Sequence, residues 1–239
     1  MLEKTQAVVV KIRPFRDNSS IILLYTEKFG LKHYIVQTNR HTKNKNKGII
    51  FHPLQIIEII VNNRNNQSLS YIKEYSTSIH LSNLQTDIVK TSLCFFIDEV
   101  IYLSLKEDNI SADVFNFLIK SIILLNDSEG KLLRDFHIYF LYNFACLLGF
   151  EPMDNYTEKA CYFNSSSGMF VESETSETSS AEESLLFHNY IGHVCGTYIP
   201  YTSSLSQRRL LLNMFVNYFE SHIIYNSSIK SHYILQSIL

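Results

Sequence analysis

Glycine is scarce: seven residues in 239, each isolated from the others, so there is no Gly-rich phosphate loop and no dinucleotide fingerprint. Cysteine is scarcer still. Cys94, Cys146, Cys161 and Cys195 are widely spaced with no Cys-x-x-Cys pair, which excludes a disulfide framework and points to a reducing compartment. Long apolar runs are also missing. The most apolar stretch, Ile138 to Phe150, is 13 residues long, contains Asn143, and is too short to span a bilayer. Near the N-terminus, Val8-Val9-Val10 runs straight into Lys11 and Arg13, too short for a signal sequence. Gly-x-Ser-x-Gly and His-Glu-x-x-His are absent. His188 and His193 lie five apart on a helical pattern and do not share a face, and no second ligand cluster accompanies Cys195. Asp98 and Glu99 are adjacent, diverge on a helix, and read as surface charges. No acid, base, nucleophile or metal set can be assembled, so the expectation is a protein without catalytic activity or cofactor.

What is present is a folded chain with an uneven charge. Apolar residues make up 46 % and charged residues 18 %, which suits a globular protein. Residues 1–80 hold 12 Lys and Arg against 5 Asp and Glu, a net of +7; the remainder carries 9 against 18, a net of −9. The stretch Gln37–Gly48 contributes Arg40, Lys43, Lys45 and Lys47 with no acidic residue. A polar run between two strand-like segments is usually a solvated loop, but this charge bias makes it an anion-seeking one.

Short strands fill the first 80 residues. Gln6–Arg13 ends at Pro14, which cannot continue a central ladder. Ser20–Thr26, Leu31–Thr38, Leu54–Val61 and Ser68–Ser76 follow, the last with Leu69, Tyr71, Lys73 and Tyr75 on one face. Five strands in so short a span suit a closed Greek-key barrel of the OB type. From Leu81 the period becomes helical: Thr86–Lys106, Asp113–Leu125 capped by Ser111, Lys131–Leu148 ending at Gly149, then Glu182–Cys195 and Ser206–Tyr225. The fold class is therefore α+β and multidomain. An OB-type barrel over 1–80 precedes a helical domain over 81–239, with an irregular segment at 151–180 and an exposed Ser/Glu-rich run near 172–183. OB barrels bind single strands through a basic groove with aromatic platforms. Lys11, Arg13, Arg16, Lys32, Arg40, Lys43, Lys45 and Lys47 are the candidate DNA contacts, reading phosphate charge rather than base edges. Phe15, Phe29 and Tyr34 lie near them, though aromatics of such strands are mostly core.

Several segments resemble the bacterial RecO recombination mediators. They are Val8-Val9-Val10-Lys11-Ile12-Arg13-Pro14-Phe15, Ser20 through Gly30, Leu133-Arg134-Asp135-Phe136, Leu147-Leu148-Gly149-Phe150-Glu151-Pro152, and Arg208 through Ile223. The resemblance implies a DNA repair accessory protein of the RecF pathway. It would bind single- and double-stranded DNA, anneal complementary strands, and act with RecR to load RecA on strands coated by single-stranded-DNA-binding protein (SSB). It also implies a cytoplasmic, nucleoid-associated protein whose helical domain holds the acidic SSB tail, with Lys131 and Arg134 as the basic contacts. One departure stands out. Many members carry a four-Cys zinc site after the Leu-Gly-Phe helix, where Tyr156–Val171 keeps only Cys161. The expectation is no metal, with Tyr162–Asn164 and Gly168–Phe170 filling that space by packing. The rival reading is a generic single-stranded nucleic-acid-binding barrel with a helical interaction domain, which has no affinity for RecR or an SSB tail. A scaffold with incidental charge predicts no DNA binding near physiological salt.

Overall fold

The alternation of the first 80 residues closes on itself. A computed structural model describes residues 2–16, 19–37, 51–62, 69–107, 110–194, 201 and 204–238. Strands β1 (Leu2–Arg16), β2 (Ser19–Thr26), β3 (Gly30–Gln37), β4 (Ile56–Asn62) and β5 (Ser70–Thr77) form a closed barrel in the order β1-β2-β3-β5-β4. All neighbours are antiparallel except β3 and β5, which meet in parallel at Tyr34–Ser70 and Ile35–Tyr71. That is the OB topology. Alternate residues fill the interior: Ala7 and Val9, Ile22 and Leu24, Tyr34 and Val36, Ile57, Ile59 and Val61, and Ile72. The β2–β3 turn is held by Thr26, whose Oγ1 accepts from the Phe29 N–H and donates to the Gly30 carbonyl, both at 3.0 Å. Gly30 takes φ 64°, a conformation that disfavours other residues.

Two strand expectations change. β1 continues through Pro14 to Arg16, because only Leu2–Val8 pair with β4 while Ala7–Arg16 pair with β2. Pro14 thus has a neighbouring strand on one side only, where a missing N–H is tolerated. In β5, Tyr71, Lys73 and Tyr75 do not share a face. A bulge sets Val61 opposite Ile72 and Ile60 opposite Glu74, so Lys73 is the extra residue and Tyr75 turns onto the core with Phe51.

The outer face of the barrel is apolar too. Val8, Val10, Leu23, Tyr25 and Leu31 are as buried as the interior, which is why β2 reads as a continuous apolar run. The cover includes the helices that follow: α1 (Asn83–Thr86), α2 (Ile88–Ser104) and α3 (Ala112–Asp127). Tyr25 donates to the Ser111 carbonyl at 3.4 Å and packs against Phe115, while His33 pairs with Glu107 at 3.0 Å. Asp87 caps α2 by accepting from the Val89 and Lys90 N–H groups. Periodicity changes at residue 80, but the first compact unit runs to Asn126 because these helices complete the burial of the barrel.

The second unit, 127–239, contains α4 (Gly130–Leu147), a hairpin of β6 (Tyr162–Asn164) and β7 (Met169–Val171), α5 (Ala181–Val194), α6 (Leu205–His222) and α7 (Ser231–Ile238). Helix α4 ends in a Schellman motif: Gly149 at φ 83° donates to Cys146 and Phe150 to Ala145. Ser204 and Gln207 form a capping box on α6. The short hairpin and α7 add to the helices expected from sequence. In the hairpin Phe163 and Phe170 point inward, with ring centroids 5.2 Å apart, and Phe163 lies 4.3 Å from Phe187. Gly168 passes so close to Tyr218 that an added Cβ would sit 3.2 Å from its ring. Among the described residues no group of three or more His, Cys, Asp or Glu is placed to hold a metal ion, and no helix is long and apolar enough to cross a membrane. Because Phe163 is fully buried among aromatic rings, Phe163→Ala is expected to cost about 3–5 kcal/mol of stability. Urea unfolding of the full chain followed by circular dichroism checks this.

Candidate nucleic-acid interface

Residues opposite each other on neighbouring strands point to the same face, so the register shows which cations lie together. Arg13 faces Ile21, Ile21 faces Ile35, and Ile35 faces Tyr71, making one row on the outer surface across four strands. The end row runs from Arg16 through Ser19 to Gln37. These rows lie at the end of the barrel where β1 ends and β3 leads into residue 38. Arg13 and Arg16 are exposed there, with Tyr71 57 % and Phe15 41 % exposed. The Arg16 guanidinium stands 5.0 Å from the Phe15 ring centre, and an Arg13 N–H donates to the Tyr102 hydroxyl at 3.5 Å. Two guanidinium groups and two open aromatic rings are thus gathered at one end of the barrel. Such a surface can neutralise phosphates and stack bases.

The other predicted cations divide differently. Lys11 lies on the outer face one row inward, and its ammonium sits 3.6 Å above the Tyr102 ring on α2. Its charge also falls on Asp98. That carboxylate is turned into the protein, contrary to its surface assignment, because the buried face of α2 carries Leu93, Cys94, Ile97 and Ile101 around it. Burial pushes the Asp98 carboxyl up to about 8, with Lys11 opposing and Glu99 reinforcing, and its Oδ1 has no hydrogen-bond partner among the described residues. Burial, with Asp98 nearby, also pushes the Cys94 thiol up to about 12, so it is not a reactive thiolate. Lys32 has the inward phase of Tyr34 and Val36 and lies near Phe29, toward the opposite end of β3, so it does not share the Arg13 row. Arg40, Lys43, Lys45 and Lys47 lie outside the described residues. Phe29 and Tyr34 are core, whereas Tyr71 was not singled out as a contact. Its signal was a large aromatic on the outer phase of β5, legible only once the register is known.

In the second unit Lys131 and Arg134 are exposed on the first turns of α4, three residues apart. Neighbouring Asp135 is buried 3.9 Å from the Arg208 guanidinium. Burial raises its carboxyl to about 6 against the opposing charges of Arg208 and Arg134. Burial, with Arg208 nearby, lowers His137 to about 3. A small cavity beside Arg208 is lined by His137, Leu205, Leu212 and Leu235; neither Lys131 nor Arg134 borders it.

A five-stranded OB barrel carrying a basic, aromatic end and followed by a helical unit defines the class: a nucleic-acid-binding type of barrel with an appended helical domain. The family model described as Recombination protein O N terminal matches residues 1–79. DNA repair protein RecO of Azobacteroides pseudotrichonymphae is 30 % identical over 240 residues, covering 100 % of this chain and 99 % of the relative. RecO of Flavobacterium psychrophilum is 27 % identical over 221 residues, 92 % of each chain. RecO of Phocaeicola vulgatus is 30 % identical over 171 residues, covering 72 % of this chain and 70 % of the relative. The chain belongs to the RecO family of DNA repair and recombination proteins.

Asp98 gives the first unit a pH signature. The folded protein keeps the Asp98 proton to about pH 8, whereas an ordinary carboxyl loses it near 3.8. Folding therefore takes up a proton between those values, and stability falls as pH rises. His137, lowered to about 3, acts in the opposite sense only below its ordinary 6.5, and Asp135 has titrated by about 6. Between about pH 6.5 and 8 the urea midpoint is expected to fall in the wild type and to stay flat in Asp98→Asn, which should be the more stable of the two at pH 8.

Proposed function

We propose that this protein is a recombination mediator without catalytic activity that binds DNA through its barrel, anneals complementary single strands and helps load RecA onto SSB-coated DNA. The observation that carries the reading is the register row from Arg13 to Tyr71, bordered by Arg16 and Phe15. The similarity to proteins named DNA repair protein RecO supports it. Annealing brings two polyanions together. Cations at one end of the barrel lower the repulsion and release condensed counterions, while exposed rings hold bases out of the stack. The 38–50 segment, which continues from Gln37 at that end, adds Arg40, Lys43, Lys45 and Lys47 in sequence. Lys11 and Lys32 contribute less, the first because its ammonium is held over the Tyr102 ring, the second because of its phase on β3.

Charge separates the two units. Residues 1–126 hold 15 Lys and Arg against 11 Asp and Glu, a net of +4, and 127–239 hold 6 against 12, a net of −6. The acidic unit repels DNA and is free for protein partners: RecR, and the SSB tail through Lys131 and Arg134. A carboxylate-ended peptide suits an exposed arginine.

Fluorescence anisotropy with a labelled single strand across a salt series tests the reading. Wild type is expected to bind tightly at low salt and to weaken steeply. Replacing Arg40, Lys43, Lys45 and Lys47 together by Ala should flatten the log–log slope by up to about 3, from about 0.7 per phosphate contact. Arg13→Ala should flatten it more than Lys32→Ala. Tyr71→Ala should cost about 1–3 kcal/mol on a single strand and little on a duplex. Absence of binding at low salt removes the reading. The same assay with a labelled SSB-tail peptide separates a mediator from a generic barrel: Arg134→Ala should weaken the peptide and leave DNA untouched.

A further inference from the structure

One cavity in the first unit has no part in the interface described above. It has a volume of about 390 Å³ and is walled by the entry to β4, the exit from β5, α1 and α2. That is within the usual size of a small-ligand site. Among the described residues its lining contains no Lys, Arg, Asp or Glu, although the unit around it is charged. The floor is apolar, with Ile56 and Leu84 buried. The polar side chains include two imidazoles, His52 and His80, two carboxamides, Gln55 and Gln85, and the hydroxyls of Thr77 and Thr91. The Gln55 Oε1 accepts from the His52 N–H at 3.2 Å, which orients that carboxamide and leaves its amide protons for another acceptor. Phe95 forms part of the wall and is 55 % exposed, an unusual state for a large ring on a helix packed against a barrel.

Without a Lys, Arg, Asp or Glu among its described residues, the wall offers phosphate and cations no ion pair to offset their desolvation. Carboxamides and imidazoles present donors and acceptors side by side, and an open Phe ring presents a stacking face. Together they match a flat, uncharged heterocycle with mixed donors and acceptors on its edge. We infer that this cavity, walled by His52, Gln55, His80, Gln85 and Phe95, takes one unstacked nucleobase of a bound single strand. The inference rests on the DNA-binding reading above. It adds a second point of contact: along β5, Tyr71 and Thr77, a residue of the cavity wall, are six residues apart, about 20 Å. A strand stacked on Tyr71 can reach that far within the roughly 4–16 nucleotides that one OB barrel engages. The barrel end then neutralises phosphates, and the cavity holds a base away from its neighbours, open for pairing to resume when it leaves.

The test uses the full chain and a single strand carrying one 5-iododeoxyuridine, with anisotropy and photo-crosslinking read on the same samples. The expected result is a photoadduct on Phe95, His52 or His80, located by peptide mass spectrometry. Phe95→Ala and Gln85→Ala both change exposed side chains, so folding is not at stake. Each should lose most of that adduct and bind the base-bearing strand about tenfold more weakly, with affinity for an abasic strand of equal length unchanged. Binding by anisotropy with adducts only at Tyr71 or elsewhere overturns the cavity assignment and leaves the DNA-binding reading standing. So does wild-type affinity in both variants. No anisotropy change at low salt overturns the DNA-binding reading and the cavity assignment with it.

Discussion

The barrel depends on the double pairing of β1. Its first half, Leu2–Val8, hydrogen-bonds to β4, and its second half, Ala7–Arg16, to β2. A single strand that serves two neighbours along its length closes the sheet into a barrel. The register shift between Val9 and Lys11 makes this possible, because the added residue bends β1 from one partner toward the other. From that bend follow the inward phase of Val9 and Ile12 and the outward phase of Lys11 and Arg13. The charges of the interface are placed by the same irregularity that closes the core.

Closure has a second consequence. With both faces of β1 and β2 apolar, helices must cover the outside, and α2 and α3 pack where OB barrels often present a ligand face. Tyr25 is lost to that packing, and the Lys11 ammonium sits over the Tyr102 ring. What remains exposed is the end of the barrel where β1 stops, with Arg13, Arg16, Phe15 and Tyr71. Among the described residues the cavity beside α2 is lined without Lys, Arg, Asp or Glu.

The second unit solves a local packing problem with rings. Phe163 and Phe170 of the hairpin close on Phe187, and the sequence has a single cysteine in this region. An aromatic cluster stabilises through buried area and edge-on ring contacts, which need no ligand geometry and no deprotonated thiols. Tyr156 stacked on His188, itself bonded to Asp154 at 2.6 Å, extends the same cluster toward the surface.

The OB barrel, the helices from α2 to α6 and the uneven charge were legible in the sequence, since period, caps and turn residues are local properties. Gly149 marked the end of α4 and Ser111 the start of α3 for that reason. The hairpin strands of three residues and α7 of eight were too short to show a period. Charge could be counted but not placed. Lys11, Arg13 and Lys32 look alike in the chain, yet one is stacked on a tyrosine, one is exposed, and one has the inward phase. Register, bulges and the packing of α2 decide among them. Adjacent residues on a helix diverge, so the sequence alone reads Asp98 as a surface charge; only the neighbouring barrel makes its side the buried one. Sequence alone determined which kinds of group this protein carries and in what order, because those follow from local chemistry. Which of them meet at one surface was decided by tertiary structure, because strand pairing brings together residues as far apart as Arg13 and Tyr71.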